Sequence, residues 1–183
     1  MGPCTAAVRE GECALKKTGS LSALGAIALI ASVLLTTGVS DAAPAKWARH
    51  SDAAAQFRKA GITSVSSGGC TNWEQRNCTS FTNINKATVS GAIAFKQASR
   101  CKVIITGGTE KGHAPGTYSH RNGYKVDMSR GKAVARCLDS YITRTFTYAG
   151  KRGDGARMYK SPAGNVYANE RSHWDVTYFK ARV

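Results

Sequence analysis

Acidic side chains are scarce in this sequence. Its 183 residues hold 11 aspartates and glutamates against 26 lysines and arginines, a formal charge of +15. That shortage implies affinity for polyanions: nucleic acid, an acidic membrane or an anionic wall polymer. The basic residues are scattered, and no zinc-finger, RNP or recognition-helix pattern accompanies them, so a specific nucleic-acid reader is not expected. The 19 glycines follow no period of three, which excludes collagen. There is no internal repeat and no linker long enough to divide the chain. No Cys-x-x-Cys pair is present, which argues against a cysteine zinc site. With 42% hydrophobic and 20% charged residues, the composition is that of a globular chain rather than a disordered one.

Only one long apolar run exists, and it lies near the start. Arg9, Lys16 and Lys17 precede it. Leu21 to Val39, about 19 residues, is apolar or small, and Val39-Ser40-Asp41-Ala42-Ala43-Pro44-Ala45 closes it. This order is that of a signal peptide. The run is near the lower limit for a membrane span, and the small residues after it favour cleavage over anchoring. Residues 1–42 are therefore expected to be a leader and 43–183 a single exported domain, with cleavage after Ala43 or Ala45 also open. The leader's charges cancel, so the mature chain keeps about +15. For an exported protein, an anionic wall polymer is the natural polyanion.

Cys4 and Cys13 would leave with the leader. Cys70, Cys78, Cys101 and Cys137 remain, at spacings of 8, 23 and 36. An even number of cysteines in an exported domain suggests two disulfides, with three connectivities possible. The expected pairing is Cys70–Cys78, closing a short polar loop, and Cys101–Cys137.

Hydrophobic periodicity predicts a helix from Trp47 to Ala60 stopped by Gly61, and a second across Val89–Ala98 capped by Asn85 or Thr88. The inner side and edge of that second helix are read as Val89, Ala92, Ile93 and Gln97. A third helix is predicted over 132–143. Strands are expected at 62–65, 102–106, 124–128, 145–148 and 173–179, with turns at Asp154-Gly155 and Ala163-Gly164-Asn165. Helices and short strands mix without a βαβ rhythm. This predicts an α+β fold, a small antiparallel sheet packed with helices.

Chemistry-bearing residues gather near strand ends. His50 is read as a surface residue of the first helix. His113 and His120 lie in a glycine-rich loop from Gly107 to Gly123, and His173 opens the last strand. His120 and Asp127 are seven residues apart with Gly123 between them, a spacing that a loop-to-strand turn can fold into a pair of metal ligands. His173 is the obvious third. Three protein ligands leave a fourth position open, as catalytic zinc requires. Glu170, three residues before His173, is placed to act as general base and then proton donor.

Ser119-His120-Arg121-Asn122-Gly123-Tyr124-Lys125-Val126-Asp127, followed by Glu170-Arg171-Ser172-His173-Trp174, resembles the zinc D-alanyl-D-alanine carboxypeptidase family, which includes D-Ala-D-Ala dipeptidases and phage L-alanyl-D-glutamate endolysins. The resemblance spans roughly 103–178. The longer run 62–178 is also similar to small exported proteins of filamentous soil bacteria assigned to that superfamily. It implies one zinc ion at strand ends and loops, with His120, Asp127 and His173 as ligands and Glu170 as catalytic base. It implies peptidoglycan peptides as substrates, cut by metal-activated water.

The sequence departs from the family pattern in several places. Tyr118 stands where a serine is usual, next to Ser119, and Lys125 where an alanine is frequent. Thr106-Gly107-Gly108-Thr109-Glu110 lacks the arginine many members carry after the preceding strand, and Lys111 or His113 is read as its substitute. His113 is the expected oxyanion donor. Lys111, Tyr118, Ser119 and Trp174 are the expected substrate contacts, although a tryptophan at a strand start also packs into cores. Two alternatives stand beside the secreted zinc peptidase: a zinc-containing wall-binding module without turnover, and a cationic polyanion binder without metal.

Overall fold

A computed structural model describes residues 46–179. The expected leader, its cleavage sites, Cys4 and Cys13 lie outside the described residues. Twelve elements follow one another: β1 (Lys46–Trp47), α1 (His50–Lys59), β2 (Ile62–Ser64), β3 (Ile84–Asn85), α2 (Lys86–Ser99), β4 (Val103–Gly107), β5 (Lys125–Ser129), α3 (Ala135–Thr145), β6 (Thr147–Lys151), β7 (Arg157–Lys160), β8 (Val166–Asn169) and β9 (His173–Thr177). The α+β architecture read from the sequence is the one observed. Its main sheet is larger than expected: seven strands in the order β2-β4-β5-β9-β8-β7-β6, antiparallel except for the parallel pair β2–β4. The short strands β1 and β3 pair separately.

Period-two alternation divides the central strands into two faces. Val126 and Met128 of β5, and Trp174 and Val176 of β9, join Phe57, Ala92, Phe95, Leu138 and Ile142 of the three helices in one apolar core. Lys125 and Asp127, and His173 and Asp175, project the other way and line a polar cavity. The register pairs Asp127 with Asp175 and Ser129 with His173 across β5 and β9. The sheet thus has an apolar face packed against the helices and a polar face that gathers charged side chains.

Several local expectations are corrected. Trp47 belongs to β1, and α1 begins at His50, with Asp52 in its first turn and Arg58 and Lys59 in its last complementing the helix dipole. His50 is half-buried rather than free on the surface. Its ring stacks on Phe81 at 5.0 Å, its Nδ1 accepts the Phe81 N–H at 3.0 Å, and burial lowers its pKa. On α2 Val89 and Ala92 are buried as expected, Thr88 and Phe95 join them, and Gln97 is exposed. The third helix starts at Ala135, three residues later than predicted. Strands β7 and β8 were read only as the turns beside them. They are four residues each, too short for alternation to declare itself.

Both expected disulfides are formed, Cys70–Cys78 and Cys101–Cys137. Loop-closure entropy assigns about 2.5 kcal/mol to the 8-residue separation and about 4 kcal/mol to the 36-residue one. Replacing Cys101 and Cys137 together by alanine is therefore expected to lower unfolding free energy more than the Cys70/Cys78 pair, by roughly 1–1.5 kcal/mol. Urea denaturation of the two double variants measures this, and equal or reversed losses would contradict the entropic account. No helix among the described residues is long and apolar enough to cross a membrane.

Candidate metal centre

The loop from Gly108 to Tyr124 carries two of the histidines onto the polar face of the sheet. Its last turn closes through Gly123, whose N–H donates to the His120 carbonyl at 2.8 Å and whose φ of +82° suits glycine. The Gly123 carbonyl accepts from Asn85 N–H and from the Thr88 hydroxyl, which ties the turn to the start of α2. At the other end, Gly107 of β4 lies opposite Asp127, and a side chain at Gly107 would occupy the space of the Asp127 carboxylate.

His120 is buried, and its Nδ1 lies 2.6 Å from the Gly108 carbonyl. A carbonyl only accepts, so Nδ1 carries the proton donated to it and Nε2 faces the cavity, the orientation usual for a metal-binding imidazole. His120 Nε2 is 3.3 Å from Asp127 Oδ1 and 3.6 Å from Asp175 Oδ1. His173 Nε2 approaches the same Asp127 Oδ1 at 3.5 Å. None of these contacts has hydrogen-bond geometry, so Asp127 Oδ1 and Asp175 Oδ1 are buried oxygens without hydrogen-bond partners. Unpaired buried carboxylate oxygens are costly. Nitrogen and oxygen ligands about 2.0–2.1 Å from a tetrahedral ion stand about 3.3 Å from one another, and the two histidine–Asp127 separations match that edge.

His113 joins the group from the other side. Ligand atoms of His113, His120 and Asp127 all lie within 4.8 Å of one another, an arrangement that can hold a metal ion. The rings of His113 and His120 stack at 3.7 Å. His113 Nε2 is held by Glu110 at 3.0 Å, and its Nδ1 is 3.9 Å from Asp127 Oδ2, not Oδ1. Glu110 is itself buried and accepts N–H groups of Gly108 and Ser80. His113 is thus oriented by a carboxylate that the sequence reading left without a role.

Glu170 and His173 are brought together by the tight turn between β8 and β9. Glu170 N–H donates to the His173 carbonyl at 3.0 Å, Arg171 takes φ +60°, and Asn169 Oδ1 accepts from Arg171 N–H. Glu170 Oε2 is 3.2 Å from His173 Nε2. Its other oxygen is held by Arg152, which also binds Asp154 and, at 2.8 Å, Asp175. Lys125 Nζ reaches the same Asp175 oxygen at 2.7 Å.

The cavity these residues line has a volume of about 590 Å³. Its charged lining is four carboxylates, Asp127, Asp154, Glu170 and Asp175, against Lys125 and Arg152. With the histidines neutral, as they must be when they ligate a metal, this leaves two uncompensated negative charges, the charge a divalent cation would balance. Burial disfavours a charged His120, yet Asp127 and Asp175 outweigh it and hold the imidazole pKa up at about 10. Burial likewise disfavours the Asp127 and Asp175 carboxylates. Histidine and, for Asp175, Lys125 keep both below the usual carboxylate range.

Four expected substrate contacts do not line this cavity. Trp174 is fully buried in the core and donates its Nε1–H to Asp139 at 2.8 Å. Ser119 is buried and its hydroxyl accepts the Asn122 N–H, holding the loop turn. Tyr118 packs on Tyr124 and Phe179, and Lys111 pairs with Glu74. Two cations line the cavity: Lys125 of β5, and Arg152 from the turn between β6 and β7, far in sequence from Thr106–Glu110. Lys125 and Asp175 were within reach of sequence reasoning, since each lies two residues along a strand from a candidate ligand. Arg152 carried no such signal. Comparisons of the chain with protein-family models, with curated proteins and with solved structures found no match to any of them.

Proposed function

We propose that the domain is an exported zinc-dependent peptidase that cuts amide bonds in peptidoglycan peptides, with His120, Asp127 and His173 as the ligands of one zinc ion. The observation that carries the reading is Asp127 Oδ1, a buried carboxylate oxygen without a hydrogen-bond partner, faced by Nε2 of both His120 and His173. His113 is the closer histidine by grouping, but its Nε2 is committed to Glu110 and its Nδ1 faces the other Asp127 oxygen. Peptide substrates and export rest on the family resemblance, the leader pattern and the two disulfides.

A zinc ion at this place supplies Lewis acidity, polarising a carbonyl and acidifying water. The chain's own residues do the rest. Glu170 takes a proton from the attacking water through the carboxylate oxygen nearer His173, then delivers it to the leaving amine. Arg152 holds Glu170 by its other oxygen and so sets the reach of the base. His113 lines the cavity, but with its Nε2–H given to the Glu110 carboxylate a neutral ring keeps no second N–H for the expected oxyanion role. The reading is tested by metal analysis after dialysis together with a panel of wall-derived peptides followed by mass spectrometry. One equivalent of zinc and a single class of cleaved bond are expected. Metal-free protein would reject it, and zinc without cleavage would favour the wall-binding module.

A further inference from the structure

The scarcity of acid has a structural consequence away from the cavity. Among the described residues, the carboxylates outside the cavity are already paired within the chain. Asp52 pairs with Arg49, Glu74 with Lys111 and Arg121, and Asp139 with Arg130. Glu110, Asp127, Asp154, Glu170 and Asp175 are held around the cavity. None of these carboxylates pairs with Lys132, Arg136 or Arg144, so an external anion is what can neutralise those three.

Those three cations, Lys132, Arg136 and Arg144, line one groove. Its volume is about 740 Å³, and Ser99, Ser140 and Thr145 line it with them, with no carboxylate among the lining residues. All three cations are exposed, and none makes an ion pair among the described residues. Lys132, Arg136, Ser140 and Arg144 recur every four residues, which aligns them along one side of α3 and the turn before it. Arg136 and Arg144 are two turns of helix apart, roughly 12 Å. A single phosphate cannot meet both, whereas a linear polymer of anions can. Arg136 also stands in the first turn of α3, which has no acidic residue. The helix dipole disfavours a cation there, so the position costs stability unless an anion answers it. The Cys101–Cys137 disulfide ties the two walls together, which makes the groove a fixed surface.

We infer that this α3 groove is a binding site for a linear polyol-phosphate polymer, which docks the protein on an anionic wall independently of the cavity. Single-stranded nucleic acid presents similar charges, but its binding surfaces add exposed aromatic rings for base stacking. The only aromatic ring at the groove, Tyr141, is packed edge-on against Phe95 and Phe146. Hydroxyls of Ser99, Ser140 and Thr145 instead suit phosphate oxygens and polyol hydroxyls. The inference does not rest on the metal reading.

The test is titration of the disulfide-bonded domain with a synthetic glycerol-phosphate oligomer, and with a single-stranded oligonucleotide of equal phosphate number, at several salt concentrations. Lys132→Ala/Arg136→Ala/Arg144→Ala is expected to weaken oligomer binding at least tenfold and to flatten the log–log salt slope by about two, at about 0.7 per lost contact. A control with the same loss of charge, Lys151→Ala/Arg157→Ala/Lys160→Ala on the β6–β7 hairpin, should bind nearly as the parent does. The charge-preserving Arg136→Lys/Arg144→Lys protein should also keep its affinity, which guards against misfolding of the triple variant. Equal losses in the triple variant and the control would overturn the site, as would undiminished binding by the triple variant. Tighter binding of the oligonucleotide than of the oligomer would overturn the choice of polymer.

Discussion

Replacing His120 by alanine is expected to abolish both the bound zinc and hydrolysis. His120 has its Nδ1 committed to the Gly108 carbonyl and its Nε2 directed at Asp127 and Asp175, which fixes its ring for ligation. Loss of an outer-shell partner typically costs 10–100-fold in metal affinity, and loss of a ligand should cost more, at least about 100-fold. Competition against a chelator of known affinity measures it. Parallel variants decide the rest of the ligand set. With His120, Asp127 and His173 as ligands, His173→Ala loses zinc to a similar degree, while His113→Ala keeps it. The opposite outcome would assign the metal to His113, His120 and Asp127, whose ligand atoms also lie within reach of one another. Proton competition adds a pH signature. The metal-free His120 imidazole, with a pKa held near 10 against its own burial by Asp127 and Asp175, carries a proton at neutral pH. Metal binding must release that proton, so affinity should rise with pH from neutrality towards 10. The His120→Ala protein should lack this component.

Glu170→Gln is expected to leave zinc and melting temperature nearly unchanged and to lower turnover about 10²–10⁴-fold, the usual contribution of a positioned acid–base group. The glutamine keeps the size of the side chain and some of its hydrogen bonding but cannot take a proton. Arg152 loses one of three carboxylates and keeps Asp154 and Asp175, so the turn between β6 and β7 stays anchored. Single-turnover analysis by mass spectrometry on a verified wall peptide separates chemistry from binding. Wild-type turnover in this variant would refute the base assignment even with the zinc site intact. Loss of zinc would make Glu170 a ligand or a structural support and turn attention to His113 and Glu110. The disulfide comparison and the α3 groove are tested separately and share no residue with these variants.

Some of the molecule was legible because its signal is local. The β-branched run Val103–Ile105, the alternation of Lys125–Met128 and the amphipathic face of α2 each report a period that the chain shows without knowing its partners. The same holds for the turn that brings Glu170 to His173, because three residues on a hairpin loop span so little distance. Loop size pointed to the cysteine pairs that are formed, although the spacing alone left three connectivities open. The sheet's extent was not. β7 and β8 are short strands whose identity comes from cross-strand pairing with β6 and β9 rather than from their own sequence.

The site divides in the same way. Sequence alone brought His120, Asp127, Glu170 and His173 forward, through their spacing and their likeness to a motif. It also determined the charge surplus and suggested two disulfides among four cysteines, whose pairing the structure supplies. Only the tertiary structure decided that His50 stacks on Phe81, that Trp174 and Ser119 are structural, that Glu110 orients His113, and that Arg152 reaches across from a distant turn to Glu170 and Asp175. The physical reason is range. Periodicity and turn chemistry act over a few residues of backbone. A carboxylate's partner is chosen by whichever cation the folded sheet brings within a few ångströms, and no rule of spacing along the chain encodes that distance.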